Sequence, residues 1–420
     1  MVRGTKVDNY KNMSISDKIT IVEPPMFIYI PLVTYNNRNC KLVVSVGDYV
    51  YKGQVVARSN DKYNFPIHSS VSGYVKEIKK QLFIDNTLID AIVIENDFRE
   101  KEKEKIGAKK KINTYTQEEV VNILKDCGIV GMSGTIFPTY YKYGMELKIK
   151  KLVINAVEGE PYITSDFTVL NKNTPEILET IDALMEIFNI EECVIAVKSY
   201  NQKAVDDLIE YIGSYTKIRI ECVKDIFPIG WEKHLIKYLF NENIKSNPIE
   251  KSIIVNNIST IYNIYKALKY RKAVLDRVIT ISGDAIKKPR NVIVKEGMLL
   301  KDILNENDYK VKKPVVVING PMTGNAIQSD EVIITRQVTG IVVLKEIIQE
   351  KHECINCGKC TNICPSRLSP ILIKNNINKK DTLKKLNPIK CIECGLCSYI
   401  CPSKIDLREE VKEAKKVIGD

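Results

Sequence analysis

Eight cysteines between His352 and Pro402 constrain this chain more than any other stretch. Cys354, Cys357, Cys360 and Cys364, and then Cys391, Cys394, Cys397 and Cys401, each follow C-x2-C-x2-C-x3-C-P, with a polar and basic stretch between the two copies. Three thiolates separated by two residues can wrap one corner of an iron-sulfur cube. The fourth, projecting beyond a proline that stops the turn, reaches the other cube. The spacing therefore assigns Cys354, Cys357, Cys360 and Cys401 to one [4Fe-4S] cluster, and Cys391, Cys394, Cys397 and Cys364 to a second. Zinc is the weaker reading, because zinc sites usually present two C-x2-C pairs. A disulfide framework is weaker still: Met1-Val2-Arg3-Gly4-Thr5-Lys6 opens without the apolar core of a signal peptide, so a reducing cytoplasm is the expected location.

At 420 residues the chain exceeds one ordinary core, and two to four domains are expected. No run approaches the ~18 consecutive apolar residues that cross a bilayer, so any membrane association is peripheral. The net charge of +11 comes from scattered lysines, with no interleaving of basic and aromatic residues that would mark a nucleic-acid platform. A basic face of this kind can steer an acidic redox partner. Cys40, Cys127, Cys193 and Cys222 stand singly in apolar surroundings and are expected to pack as small hydrophobes. His68, His234 and His352 lie in different segments and are read as hydrogen-bonded or surface residues, not metal ligands.

Residues 1–98 read as short strands with turn signals, including F-I-Y-I-P-L-V and I-D-A-I-V-I-E. Gly47-Asp48, Gly53-Gln54 and Ser72-Gly73 punctuate alternating valines in a pattern that resembles barrel-sandwich domains of the biotinyl and lipoyl type. Lys62 falls near where those domains carry a prosthetic group. Its flanks, Ser59-Asn60-Asp61, fit a modification site only loosely, so an unmodified β domain is expected. The charge run Arg99 to Lys111 reads as a linker or exposed loop.

Residues 112–270 carry apolar strands alternating with helical stretches, the signature of an α/β unit. Gly128, Gly131 and Gly134 punctuate a turn before a short helix that reaches Lys142, where backbone N–H groups can meet a phosphate or a ring. Asn155-Ala156-Val157-Glu158-Gly159-Glu160-Pro161-Tyr162 ends an apolar strand, where open α/β sheets bind ligands. Pro228 to His234 and Val255-Asn256-Asn257-Ile258-Ser259-Thr260 complete the set. Residues 271–346 form a further small unit of strands and one short helix, ending near Pro321-Met322-Thr323-Gly324, and 347–420 hold the cysteines.

The order G-I-V-G-x-x-G-x-x-F-P-T-x-x-K, N-A-x-E-x-E-P-Y-x-T-x-D, P-x-G-x-E and V-N-N-x-x-T, followed by a small β unit and the two cysteine motifs, resembles the RnfC family, the C subunits of Rnf electron-transport complexes and their soluble relatives. The middle unit is also similar to the flavin subunit of respiratory complex I. The resemblance implies a multidomain α/β and α+β fold: a barrel-sandwich β domain, a complex-I-flavin-subunit-like α/β domain, a β-grasp (SLBB-like) domain acting as a scaffold, and a dicluster ferredoxin-like α domain. It further implies FMN as a non-covalent cofactor, with NAD(H) able to stack on it. Gly131, Gly134 and Lys142 would meet the flavin phosphate side. Asn155 and Glu158, with Asn256, Asn257 and Thr260, would line the rest, and Phe137, Glu160 and Glu232 would face the nicotinamide.

Two departures from the family pattern stand out. Ser133, Thr135 and Ile136 replace smaller residues of the glycine loop, and Gly159 stands where the family usually has cysteine. The expected function is electron transfer between NAD(H), FMN, two [4Fe-4S] clusters and a partner, either a membrane Rnf-type complex or a soluble reductase such as proline reductase. The rival is an electron-wire or docking subunit that uses the clusters alone.

Overall fold

The computed structural model describes residues 3–15, 18–103, 111–145, 148–198, 202–244, 246–346 and 350–419. The expected linker Arg99 to Lys111 therefore lies partly outside the described residues.

Four apolar runs, Lys151–Ala156, Glu192–Lys198, Ile218–Val223 and Ile253–Asn257, form an all-parallel sheet. Runs without strict alternation suit a sheet covered by helices on both faces. Helices Thr174–Ile187 and Ile258–Tyr270 supply part of that cover. The helix Gln117–Asp126 starts at a capping box, in which Thr116 and Glu119 satisfy each other's backbone N–H groups. Across the sheet the order is Ile218–Val223, Glu192–Lys198, Lys151–Ala156, Ile253–Asn257. Chain order reverses between the last two strands, and such a switch point opens a crevice beyond the strands' carboxyl ends. Asn155 and Asn257 sit opposite one another in the register at that place.

Of the four single cysteines, Cys127 and Cys193 are buried and Cys40 is half-buried. Cys222 corrects the expectation: it is exposed, on the edge strand Ile218–Val223.

The barrel-sandwich unit has two antiparallel sheets. Phe27–Pro31, Leu88–Asn96, Gly73–Leu82 and Tyr49–Val50 form one, and Cys40–Leu42, Val55–Ser59 and Pro66–His68 the other. Lys62 lies between Val55–Ser59 and Pro66–His68, its ammonium 5.1 and 5.6 Å from the ring centroids of Tyr63 and Tyr141.

A mixed sheet follows, built on Asp276–Ser282, Arg290–Lys295, Pro314–Ile318 and Gly340–Lys345, with the short helix Leu300–Ile303. Its residues Ile279, Ile281, Val292 and Ile341 belong to the same hydrophobic core as Ile28, Ile30, Ile92 and Ile94 of the barrel. The two units expected as 1–98 and 271–346 thus share one core, across the intervening α/β unit.

Among the described residues, 3–15 and Ile19–Ile21 do not join the sheets of the barrel. Thr5 pairs with Phe227 in both directions (3.1 and 2.8 Å), Tyr10 stacks on Tyr162, and Ile19–Ile21 adds a parallel strand beside Arg290–Lys295. They form a strap that ties the α/β unit to the mixed sheet. The C-terminal residues form short helices and the longer Leu407–Gly419, over a small core of Leu368, Ile373, Leu383, Val411 and Ala414. Among the described residues, no helix is long and apolar enough to cross a membrane.

Candidate functional site

A cavity of about 620 Å³ opens at the switch point, within the size range of small-molecule sites. Asn155, Glu158, Asp166 and Asn257 wall it from the strand ends. Ser133, Gly134 and Thr135 wall it from the glycine loop, and Trp231, Glu232 and His234 from the start of helix Glu232–Phe240. The mixed sheet adds Asn319, Thr323, Asn325 and Thr339. The expected scaffold unit is therefore also a wall of the site.

The glycine loop is held from behind. Thr260 Oγ1 accepts the Met132 N–H at 2.9 Å, and the Arg277 guanidinium donates to the Met132 carbonyl at 3.3 Å. Gly131 closes the loop by donating to the Phe137 carbonyl at 2.9 Å. Ile136 adopts φ +44°, a strained region for a β-branched residue, and its side chain is buried in the core of the α/β unit. The branched residue therefore turns away from the cavity and anchors the loop, and the tip Ser133-Gly134-Thr135 faces the ligand space.

Of the residues expected to bind cofactor, Gly134, Asn155, Glu158 and Asn257 line the cavity, as do Glu160 and Glu232. Gly131, Phe137, Lys142, Asn256 and Thr260 do not, and their contacts give the reasons. Phe137 packs edge-on against Tyr35, Tyr63 and Tyr141, in an aromatic cluster shared with the barrel. Lys142 donates to the Val255 carbonyl at 2.8 Å and lies 3.4 Å from Glu232, so it orients two wall residues from behind. Asn256 donates to the buried Tyr143 hydroxyl at 2.6 Å. Thr260 and Gly131 shape the loop.

Three carboxylates stand at the cavity with built-in partners. Glu158 accepts from the Asp166 and Phe167 N–H groups at 2.8 and 3.2 Å, capping the helix Ser165–Lys172. Asp166 accepts from Ser259 Oγ at 2.6 Å and from the Asn257 amide. Glu160 accepts from the Met322 N–H at 3.1 Å and from the Thr323 hydroxyl. Burial pushes the Glu158 and Glu160 carboxyls up to about 7, and raises Asp166 as well. Glu160, expected to face the nicotinamide, lines the cavity and also ties down the turn Asn319 to Asn325. Glu232 is half-exposed on the first turn of its helix and stays available to a ligand.

That turn joins the cavity to the cysteine unit. Gly320 has φ +95°, and a side chain there would strike the Glu160 carboxylate, so only glycine lets the turn approach so closely. From the opposite side, Arg408 donates to the carbonyls of Met322, Thr323 and Gly324, the Thr323 contact being 2.6 Å. Gly395, in the second cysteine motif, sits where a Cβ would strike the Met322 carbonyl.

The eight motif cysteines lie beside two small cavities. Cys364, Cys391, Cys394 and Cys397 wall one small cavity, and Cys354, Cys357, Cys360 and Cys401 wall another. Backbone N–H groups already point at sulfur: Asn356 at Cys354 (3.4 Å), Leu368 at Cys364 (3.4 Å) and Glu393 at Cys391 (3.3 Å). Such bonds stabilise cluster-bound thiolates and tune their potential. Burial pushes the Cys394 and Cys397 thiols up to about 12, so those sulfurs need cationic iron to hold them as thiolates. The donor set and the aimed amides fit [4Fe-4S] clusters.

The two quartets differ in their neighbours. Cys394 packs in a cluster with Phe227, Met322 and Leu396, against which Trp231 and Ile392 lean. Trp231 and Ile392 also line the 620 Å³ cavity. His234, on the same wall, hydrogen-bonds the Pro365 backbone beside Cys364. The quartet of Cys364, Cys391, Cys394 and Cys397 is therefore the inner one. In the outer quartet Cys357 is exposed, and the intervening Ile355 is 66% exposed.

Sequence reasoning flagged the segment Pro228 to His234 but missed Asn319, Asn325 and Thr339 as wall residues, and Lys11 at the carbonyls of Glu160 and Ile163. The motif Pro321-Met322-Thr323-Gly324 was the signal near the mixed-sheet residues.

Residues 124–266 match the model of the Nuo51 FMN-binding domain, residues 1–99 the RnfC barrel sandwich hybrid domain, and residues 353–405 the 4Fe-4S dicluster domain. With the cavity and the thiol quartets, these define an iron-sulfur flavoprotein electron-transfer subunit whose cofactors are FMN and [4Fe-4S] clusters. Over 378 residues the chain is 30% identical to the C subunit of the proton-translocating ferredoxin:NAD(+) oxidoreductase complex of Clostridium ljungdahlii, covering 88% of this chain and 82% of that one. The chain belongs to the RnfC family.

It is also 28% identical to the C subunit of the Na(+)-translocating ferredoxin:NAD(+) oxidoreductase complex of Acetobacterium woodii, with coverage of 83% and 81%. The C subunit of the ion-translocating oxidoreductase complex of Vibrio cholerae is 29% identical, and this chain spans about half of it, 48%. Among solved structures, the NAD+-reducing [NiFe]-hydrogenase in its H2-reduced state shares the fold, at a TM-score of 0.50 and 12% identity over 75% of this chain and 63% of that one.

Proposed function

We propose that the chain passes electrons between NAD(H) and a partner redox protein, with FMN in the 620 Å³ cavity, the inner quartet next and the outer quartet at the exit. One observation carries this order: Ile392 and Trp231 line the cavity and lean on the hydrophobic cluster that contains Cys394. When bound, FMN takes up a hydride's two electrons together and the clusters carry electrons singly. The chain's residues supply position and exclusion of water. Gly134 and its neighbours offer backbone N–H groups to the ligand, the paired Asn155 and Asn257 stand at the strand ends, and Glu232 is placed to orient a nicotinamide ribose or amide. Phe227, Met322 and Leu396 form a dry, apolar wall between the cavity and the inner quartet.

The partner on this reading is a membrane-bound Rnf-type complex, on whose cytoplasmic face the chain sits peripherally. Support comes from the relatives, which are named as parts of ion-translocating complexes. Anaerobic purification, acid extraction of flavin and iron counting test the cofactor side. About one FMN and two [4Fe-4S] clusters per chain are expected, whereas clusters without flavin would leave only an electron wire. Copurification with membranes is expected for the partner. Recovery with a soluble reductase, such as a proline reductase, would replace the Rnf assembly as partner.

A further inference from the structure

Lys11 is 2% exposed and lies outside residues 124–266, the part of the chain matched to the FMN-binding domain. The strap delivers it. Thr5 pairs with Phe227 on one side, and on the other Ser14 Oγ donates to the Tyr162 carbonyl at 3.1 Å. Between these anchors the Lys11 ammonium donates to the Glu160 carbonyl at 2.9 Å and to the Ile163 carbonyl, two backbone oxygens of the segment that forms the cavity floor. The charges that act on it are Glu158, Glu160, Asp166 and the ammonium of Lys198. The three carboxylates all line the cavity, and the buried Arg277 guanidinium also feels Glu158 and Asp166.

A flavin cavity floored by three carboxylates would repel the phosphate of FMN and disfavour reduction. Oxidised flavin takes up two electrons and one proton to give the reduced monoanion, so it gains one negative charge. A desolvated cation nearby favours that product, and burial keeps its field from being screened.

We propose that Lys11 is a positioning and charge-setting residue for the flavin cavity: it fixes the turn from Glu158 to Ile163, offsets the carboxylates, and raises the reduction potential of the bound FMN. The inference rests on the flavin reading above. It gives the strap a function that the FMN-binding domain alone lacks. Burial lowers the Lys11 ammonium to about 8, which leaves it charged at neutral pH.

The test uses the full chain with both clusters, loaded with FMN, and compares wild type, Lys11→Met and Ser14→Ala by spectroelectrochemistry and FMN titration, with iron content as the check on folding. Lys11→Met is expected to lower the flavin midpoint potential and weaken FMN binding, while Ser14→Ala, which loosens the strap and keeps the charge, leaves the potential in place. If Lys11→Met releases FMN near pH 7.5, binding is expected to return toward pH 6, because burial already raises the Glu158 and Glu160 carboxyls and loss of the Lys11 ammonium raises them further, so acid neutralises them. An unchanged potential in Lys11→Met, an equal shift in Ser14→Ala, or FMN loss that pH 6 does not reverse overturns the proposal. A wild-type chain that takes up no FMN overturns the flavin reading itself.

Discussion

The inner and outer thiol quartets have the same sequence motif and different neighbours. Cys394 of the inner quartet is buried against Phe227, Met322 and Leu396, and its neighbour Ile392 reaches the flavin cavity. Cys357 of the outer quartet is exposed, beside an exposed Ile355. Electron transfer falls steeply with distance, so the quartet packed against the cavity wall suits exchange with an internal flavin, and the one with an exposed cysteine suits exchange with a second protein. The difference arises outside the motifs, from the turn Asn319 to Asn325. That turn is gripped by Glu160 from the α/β unit and by Arg408 from the cysteine unit.

The largest effect that would separate the quartets is expected from Cys394→Ser. It should remove the iron of the inner cluster and slow reduction of the outer cluster by more than about tenfold, because the apolar wall then stands between flavin and exit with no carrier beyond it. Cluster reduction at the wild-type rate in that variant would break the assignment.

Arg408→Ala comes next. It removes a charged donor from three carbonyls of the turn, at a cost of about 2–3 kcal/mol for the cysteine unit's docking. Chemical denaturation followed at the cluster absorbance should show the loss, together with slower flavin-to-cluster transfer. Unchanged stability would mean that the turn is held by other contacts.

Glu160→Gln sharpens the same point through pH. The Glu160 carboxyl is raised from 4.5 to about 7 by burial, so in wild type its favourable contribution is complete below about pH 4.5 and is lost as pH rises through 7. Glutamine can keep one acceptor toward Met322 or Thr323 and does not titrate. The melting temperature of the variant relative to wild type should therefore rise between pH 5 and pH 8, and a flat difference would contradict the buried carboxyl. The smallest effect is expected from Gly159→Cys, which restores the residue usual in the family. A Cβ there meets Trp231 and Phe227 at an ordinary 3.8–3.9 Å, so stability should change by less than about 0.5 kcal/mol.

The sequence made the cysteine assignments legible because cluster geometry forces their spacing, and each expected quartet lines a small cavity of its own. It pointed to the cavity at the switch point because Asn155, Glu158 and Asn257 stand at or just beyond the ends of apolar strands. Which atoms face the ligand was less legible. Thr260 reaches back across the sequence to Met132, Asn256 turns to Tyr143, and Phe137 joins tyrosines of the barrel. Those contacts depend on how separate segments pack, which no local motif records. Lys11 and Arg408 escaped for the same reason, each acting on a segment more than 80 residues away.

The most direct test of the order flavin, inner quartet, outer quartet is anaerobic mixing of the FMN-loaded Cys357→Ser chain with NADH, followed by the absorbance of the flavin and the remaining cluster. The predicted result is one cluster's iron lost, with the remaining cluster reduced at the wild-type rate and electron delivery to an external acceptor abolished. Reduction of flavin with no reduction of the remaining cluster would contradict it, by placing the outer quartet next to the flavin.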